Sequence, residues 1–376
     1  MNAQETYQAN KNRLSTALGR WMGIGPYYAM FPISFTYEVV QRFCPPGGSV
    51  LDPFAGRASS IYAASTTGRF GLGIEINKVG WLYGRVKLDP APLEDVLKRH
   101  HQIGKSAAHL GARRLKELPE FFKVCYTDRV LKYLLAVREK LDWQENNADA
   151  TLMAIILVYL HGAKEKSLSN QMRQGKAMAP EYSLGWWRSH CSTPPDVDPV
   201  TFLEQRIRWR YVHGLPQYAK QGSVILGDSV TVLDQLQLAV SKGEMPKFDL
   251  LFTSPPYYGI TSYHYDQWLR LWLLGGSPTP SKTGGDWQNG FWSKANYRSL
   301  LEQVFRKCTT IMSPNATVYV RTDARSFTQD TTIEVLRNTF PEKQLRGEKQ
   351  PIRKQNQTAL YGDKSEKPGE IDIILE

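Results

Sequence analysis

The sequence predicts an α/β protein: a mostly parallel twisted sheet with helices on both faces, plus a mainly helical insertion. Three observations carry this. Short apolar runs at 50–51, 72–76, 224–226, 250–253, 317–321 and 371–375 alternate with stretches of helical spacing, the pattern of βαβ units. The first run ends in an acid and small residues, Asp52-Pro53-Phe54-Ala55-Gly56, and the fourth ends on two prolines, Ser254-Pro255-Pro256-Tyr257. Open α/β sheets hold their ligands outside the carboxyl ends of strands, so both segments fall where a site belongs.

In chain order, a helical run over 34–43 precedes the first strand. After that strand, Gly56 and Ala58 let the backbone turn sharply and approach a ligand, and the helical stretch over 61–64 offers unpaired N–H groups at its start. The second strand, within Phe70-Gly71-Leu72-Gly73-Ile74-Glu75-Ile76-Asn77, carries an acid at its end about 20 residues past Asp52. An acid there accepts hydrogen bonds from ribose hydroxyls in nucleotide-type folds. Capping of strand ends is the plainer alternative for Asp52 and Glu75.

Residues 91–222 have a different texture. Leu131, Leu134, Leu135, Val137 and Leu141, then Leu152, Ile155, Ile156, Tyr159 and Leu160, recur at helical spacing. The block holds twenty Lys/Arg against fourteen Asp/Glu, hence +6 of the chain's +11. It includes Ser167-Leu168-Ser169-Asn170-Gln171-Met172-Arg173-Gln174-Gly175-Lys176, whose amides and cations are of the type that read purine edges; a solvated loop is the alternative. The alternation Arg206, Arg208, Arg210 reads as a phosphate-facing stripe or as one charged face of an element. Trp186 and Trp187 read as packing residues. The expected division is 1–90, with the N-terminal helix and the first two strands; 91–222, a helical insertion; and 223–376, with the remaining strands.

The fourth strand, Phe248-Asp249-Leu250-Leu251-Phe252-Thr253, runs into the diproline. Prolines cannot donate to a ladder, so pairing stops and the backbone is held extended as a ledge. A Pro-Pro pair alone is commonly a turn. On this ledge, however, Ser254 and the proline carbonyls offer hydrogen-bond acceptors and Tyr257 a flat ring, which suits a planar heterocycle bearing an amino group. Tyr258 and Tyr263 stand nearest as pocket walls, while Tyr265, Trp268, Leu269 and Trp272 have the spacing of a buried helix face. Leu300, Leu301, Val304, Cys308 and Ile311 mark another helix, and 343–354, with five basic residues and one acid, a loop or hairpin before the last strand.

A formal charge of +11 over 376 residues favours a polyanionic partner, because neutralising phosphates releases counterions. The four cysteines, Cys44, Cys125, Cys191 and Cys308, are scattered and the seven histidines form no ligand motif; reduced thiols, no metal and a cytoplasmic location are expected. No 18-residue apolar run and no basic-then-apolar leader is present, so neither a membrane span nor a secretory signal is expected.

Four segments in one order resemble the S-adenosylmethionine-dependent DNA amino-methyltransferases. Asp52 to Gly56 is similar to their cofactor motif, and Ser254 to Tyr257 to their catalytic motif in its cytosine-N4 form. Pro26-Tyr27-Tyr28-Ala29-Met30-Phe31-Pro32 resembles the element closing over the methionine end, and Ser223-Val224-Ile225-Leu226-Gly227-Asp228-Ser229 the segment whose acid reads the adenine. There are two departures: Ala58 stands where a second glycine is usual, after Arg57, and the stretch from Glu75 to Asp228 is longer than a plain core needs.

The resemblance implies a class I methyltransferase-like (Rossmann-like) fold and S-adenosyl-L-methionine as cofactor, held by Phe31, Pro32, Asp52, Phe54, Gly56, Glu75 and Asp228. It implies double-stranded DNA as substrate and, for a modification enzyme, a cognate restriction enzyme; it makes 1–90 the cofactor-binding half, 91–222 the insertion that positions and reads DNA, and 223–376 the catalytic half. Exocyclic amines are weak nucleophiles because their lone pair is delocalised. In the family, residues matching Ser254 and the Pro255 carbonyl accept the two amino hydrogens, Pro256 stiffens the ledge and Tyr257 stacks on the base. In-line transfer of methyl to cytosine N4 then follows, after base flipping. The absence of a Pro-Cys dipeptide agrees with amino rather than carbon-5 methylation. Adenine N6, RNA bases and a non-catalytic nucleic-acid-binding relative are the alternatives.

Overall fold

The computed structural model describes residues 15–26, 31–218, 221–259, 263–281, 293–350 and 369–376, without the side chains of Tyr263 and 348–350. Strands β1 (Ser49–Asp52), β2 (Phe70–Glu75), β3 (Ser223–Leu226), β4 (Phe248–Thr253), β5 (Met312–Asp323), β6 (Leu345–Gln350) and β7 (Glu370–Leu375) form one sheet in the order β3-β2-β1-β4-β5-β7-β6. The first five are parallel, and β7 runs antiparallel to both β5 and β6. A parallel sheet whose last strand inserts antiparallel before the sixth is the class I methyltransferase-like, Rossmann-like fold.

Strand residues alternate between two apolar layers because successive side chains point to opposite faces. Val50, Leu250, Phe252, Tyr319 and Ile374 enter one core, while Leu51, Leu72, Ile74, Leu251, Val318, Val320 and Ile373 enter the other. The first face is covered by α1 (Ala17–Met22), α2 (Ile33–Phe43), α3 (Ser59–Thr66) and α4 (Lys78–Leu88). The second is covered by α12 (Ser229–Ser241), α15 (Lys294–Ile311) and α16 (Ser326–Thr339). Side-chain caps set several starts: Ser293 accepts from the Asn296 N–H at the head of α15, and Asp228 from Val230 and Thr231 at the head of α12.

Between 93 and 211 every described element is a helix: α5 (Leu93–Ala108), α6 (Arg113–Lys116), α7 (Glu120–Cys125), α8 (Asp128–Lys140), α9 (Asn147–Tyr159), α10 (Pro180–Ser189) and α11 (Pro199–Tyr211). Their apolar faces join the first core without a break. Two short helices of the later half, α13 (Tyr263–Asp266) and α14 (Trp268–Leu273), knit the block to the sheet. Trp268 and Trp272 pack on Phe121 and Phe122, and the buried Arg270 guanidinium donates to the Leu157 and Gln174 carbonyls. Core placement of Trp268, Leu269 and Trp272 is thus as the spacing predicts.

Two readings of the block change. Arg206, Arg208 and Arg210 form no stripe: on the helix α11, residues two apart point to nearly opposite sides. Arg206 lies over the Phe202 and Tyr159 rings, Arg208 pairs with Glu204 in solvent, and Arg210 is buried. Within 167–176, Ser167, Leu168, Ser169 and Asn170 are buried, and the Asn170 amide donates to the Val124 and Ser192 carbonyls. Those residues tie loops together, and Gln171, Arg173 and Gln174 are the exposed ones. Trp187 is buried and donates to the Gln171 carbonyl, in keeping with a packing role. All four cysteines are free thiols. No described helix is long and apolar enough to cross a membrane.

Candidate active site

β1 and β4 are neighbours, yet the chain leaves β1 toward β2 and β3 on one side and β4 toward β5 on the other. This is the topological switch point, where a crevice opens at the strand ends. The two sequence motifs meet there. Asp52, the last residue of β1, is 1% exposed; its Oδ1 accepts from the Thr253 hydroxyl at 2.7 Å and from the Phe54 N–H at 3.1 Å. Its Oδ2 accepts from Ser60 on α3 at 2.5 Å. Burial raises the Asp52 carboxyl to about 6 although these donors favour the charged form. Asp52 therefore locks the first loop, α3 and the foot of the proline ledge into one unit.

The loop after β1 turns through two residues in the left-handed region, Gly56 at φ 54° and Ala58 at φ 56°. For Ala58 this costs about 1–2 kcal/mol, and its methyl is fully buried. The Gly-to-Ala departure is thus accommodated without unwinding the turn: the Ala58 N–H bonds the Ala55 carbonyl at 2.7 Å. Arg57 turns away from the ledge and donates to the Gly25 carbonyl at 3.0 Å. Phe54 is half-buried against the second core.

Glu75 ends β2 beside this turn. It accepts from the Asn77 N–H at 2.6 Å and from the Gly56 and Ile76 backbone amides. Burial, with a smaller contribution from Asp52, raises it to about 8. The next strand joins through the Gly227 N–H to the Glu75 carbonyl and the Ser229 hydroxyl to the Pro53 carbonyl. Asp228 is exposed at that junction, with Oδ1 capping α12 at 3.0 and 3.1 Å. The acids expected along a nucleoside thus stand at the ends of three adjacent strands.

Phe31 stacks on Phe252 of β4, with centroids 4.8 Å apart and planes 11° off parallel, while Pro32 is exposed as the cap of α2. Residues 27–30 of that element lie outside the described residues. On the ledge, Pro255 is buried, Pro256 half-buried, and no peptide is cis. Ser254 donates to the Tyr257 hydroxyl at 3.4 Å, and Tyr257 donates to Glu370 at 3.1 Å. Tyr257 is 6% exposed, so its ring is packed into the protein rather than presented for stacking on a base. Tyr258 packs on Phe327 and Tyr297; the Tyr263 side chain lies outside the described residues.

Three participants escaped the sequence reading: Thr253, Ser60 and Glu370. Thr253 directly precedes the second motif, while Ser60 lies four residues past Gly56, in the first turn of the helix that follows the first motif. Glu370 lies 113 residues beyond Tyr257 in the chain, and no spacing links them.

No family model and no curated protein matches the sequence. Among solved structures the chain is similar to a SAM-dependent methyltransferase from Agrobacterium tumefaciens, at 11% identity and TM-score 0.36, over 93% of this chain and 63% of that one. It is also similar to the rRNA methyltransferase AviRa from Streptomyces viridochromogenes, at 11% identity and TM-score 0.34, over 97% and 92%. The chain thus spans under two thirds of the first structure's length. Likeness at this level adds nothing to the strand order, on which the fold rests.

Proposed function

We propose that the chain transfers a methyl group from S-adenosylmethionine to an exocyclic amino nitrogen of a nucleic-acid base, cytosine N4 of double-stranded DNA. The observation that carries this reading is the Thr253 to Asp52 hydrogen bond at 2.7 Å, which joins the diproline ledge to the Gly56 turn at the switch point.

The residues present fit that cofactor. Glu75 and Asp228 suit a ribose diol and an adenine amine, the Gly56 turn lets the backbone come close, and the Phe31 ring offers an apolar wall. When bound, the sulfonium supplies an electrophilic methyl. The protein's share is orientation: Ser254 and the Pro255 carbonyl accept the two amino hydrogens and aim the lone pair, and the trans diproline prevents the acceptors from retreating. The Ser254 hydroxyl donates inward to Tyr257, so its lone pairs face the ledge. A base in a duplex stack cannot reach this position, so it must be flipped out.

Labelled methyl transfer to unmethylated duplex DNA, followed by nucleoside analysis, tests the proposal. N4-methylcytosine is expected; N6-methyladenine, or label in RNA alone, redirects the substrate, and no transfer to any nucleic acid overturns it. Ser254→Ala lowers turnover roughly 10²- to 10³-fold with cofactor affinity within about twofold, because the hydroxyl faces the base. Equal loss of both removes Ser254 from the base side.

A further inference from the structure

We propose that Ser254, Tyr257 and Glu370 form a proton relay that discharges the methylated nitrogen, with Glu370, on the last strand, as its terminus. This deepens the function proposed above and rests on it. Forming the N–CH3 bond breaks the sulfonium S–C bond, leaving its electron pair on sulfur, and gives the amino nitrogen a positive charge and one surplus proton. A neutral product requires that proton to leave, and behind Ser254 the Tyr257 side chain is buried at 6% exposure.

The geometry points one way. The Ser254 hydroxyl donates to Tyr257 Oη at 3.4 Å, and Tyr257 donates to Glu370 Oε1 at 3.1 Å. Every donor in the chain faces inward, away from the base. Ser254 thus accepts the nitrogen's proton while passing on its own, Tyr257 does the same, and the Glu370 carboxylate ends protonated. One N–H bond is exchanged for one carboxyl O–H bond, and no further reactant is consumed. Glu370 does not touch the base; it is a positioning residue that works through Tyr257 and Ser254.

Glu370 is held from behind. Arg321 on β5 forms a two-pronged pair with Asp372, at 2.6 and 2.7 Å, and stands 3.6 Å from Glu370 Oε2. The guanidinium lies 3.4 Å from the Phe35 centroid, so its fork is fixed in direction. The ionisable groups facing Glu370 are Tyr257, Arg321 and Asp323 from neighbouring elements and Asp372 on its own strand. Burial raises Glu370 above the ordinary carboxylate range, partly offset by Arg321, and keeps Tyr257 protonated far above the usual phenol range. The terminus is therefore more basic than a free carboxylate, and the phenol passes a proton without storing charge.

The test uses the full chain with Glu370→Gln, which keeps an acceptor for Tyr257 but takes no proton, and Tyr257→Phe, which removes the bridging hydroxyl at little cost in volume. Single-turnover transfer to DNA is expected to fall roughly 10²-fold in each variant, with cofactor affinity by calorimetry within about twofold. The double variant should be no slower than either single one. The acidic limb of the wild-type pH–rate profile, where Glu370 becomes protonated, should vanish in Glu370→Gln. In the unliganded chain, Tm losses of Tyr257→Phe and Glu370→Ala, each of which removes the hydrogen bond, should be on the order of 2–4 °C and non-additive, reporting the contact without any turnover. Additive Tm losses, or variants that match an active wild type at every pH, overturn the relay alone. An inactive wild type overturns the proposed function as well.

Discussion

Burial raises the Glu75 carboxyl from 4.5 to about 8, although it accepts three backbone amides. A carboxyl raised in this way favours the folded state fully below its unfolded value, and that contribution is lost as pH rises through the folded value. Glu75→Gln keeps one acceptor oxygen and removes the charge. The difference in unfolding free energy between variant and wild type should therefore move in the variant's favour as pH rises from 4.5 toward 8, by a few kcal/mol at most on the order-of-magnitude scale of such shifts. Thermal denaturation across that range checks it, and a constant gap removes Glu75 as the titrating group. Asp52, raised to about 6, titrates lower in the same direction. At this scale the motif residues were legible, because Asp52, Gly56, Glu75 and Ser254 to Tyr257 lie at strand ends marked by apolar runs and prolines. Thr253 was hidden as a strand residue; its partner Asp52 is 201 positions away.

The first turn of α4 presses on the Gly56 turn. A Cβ at Gly80 would stand 2.8 Å from the Gly56 carbonyl and 3.1 Å from Glu75 Cγ, closer than side-chain atoms normally come to backbone. Gly80→Ala should push the Gly56 turn outward, costing about 1–3 kcal/mol of stability and weakening cofactor binding roughly tenfold. Calorimetry on the purified variant checks this, and unchanged affinity would mean that the turn tolerates displacement. Element positions were readable wherever apolar periodicity was strong: β1 to β5 and β7 lie on the six predicted runs, and α15 covers the predicted 300–311. β6, Leu345–Gln350, falls in the stretch whose sequence predicts a loop or hairpin, since Leu345-Arg346-Gly347-Glu348-Lys349-Gln350 carries no apolar alternation to announce a strand. Arg206, Arg208 and Arg210 misled for the related reason that alternation implies one face only in a strand.

At the scale of the whole molecule, +11 of net charge would attract the proposed nucleic-acid substrate at long range. Binding to mixed-sequence duplex DNA should weaken about tenfold or more between 50 and 200 mM salt if several phosphates are neutralised. Fluorescence anisotropy titrations read the slope, and salt-independent binding would place the basic residues elsewhere than at the phosphates. The helical block shares its apolar core with the sheet's first face, so whatever it grips is held rigidly relative to the ledge. By itself the sequence determined the layered α/β architecture, the two motifs at the strand ends and the helical character of 91–222, because periodicity, prolines and small residues act locally. Only the tertiary structure decided that Asp52 is bolted to Thr253, that Asn170 serves the interior, and that Glu370 stands behind Tyr257. Those partners are brought together by strand order, a cooperative result of packing both apolar faces at once that no local spacing encodes.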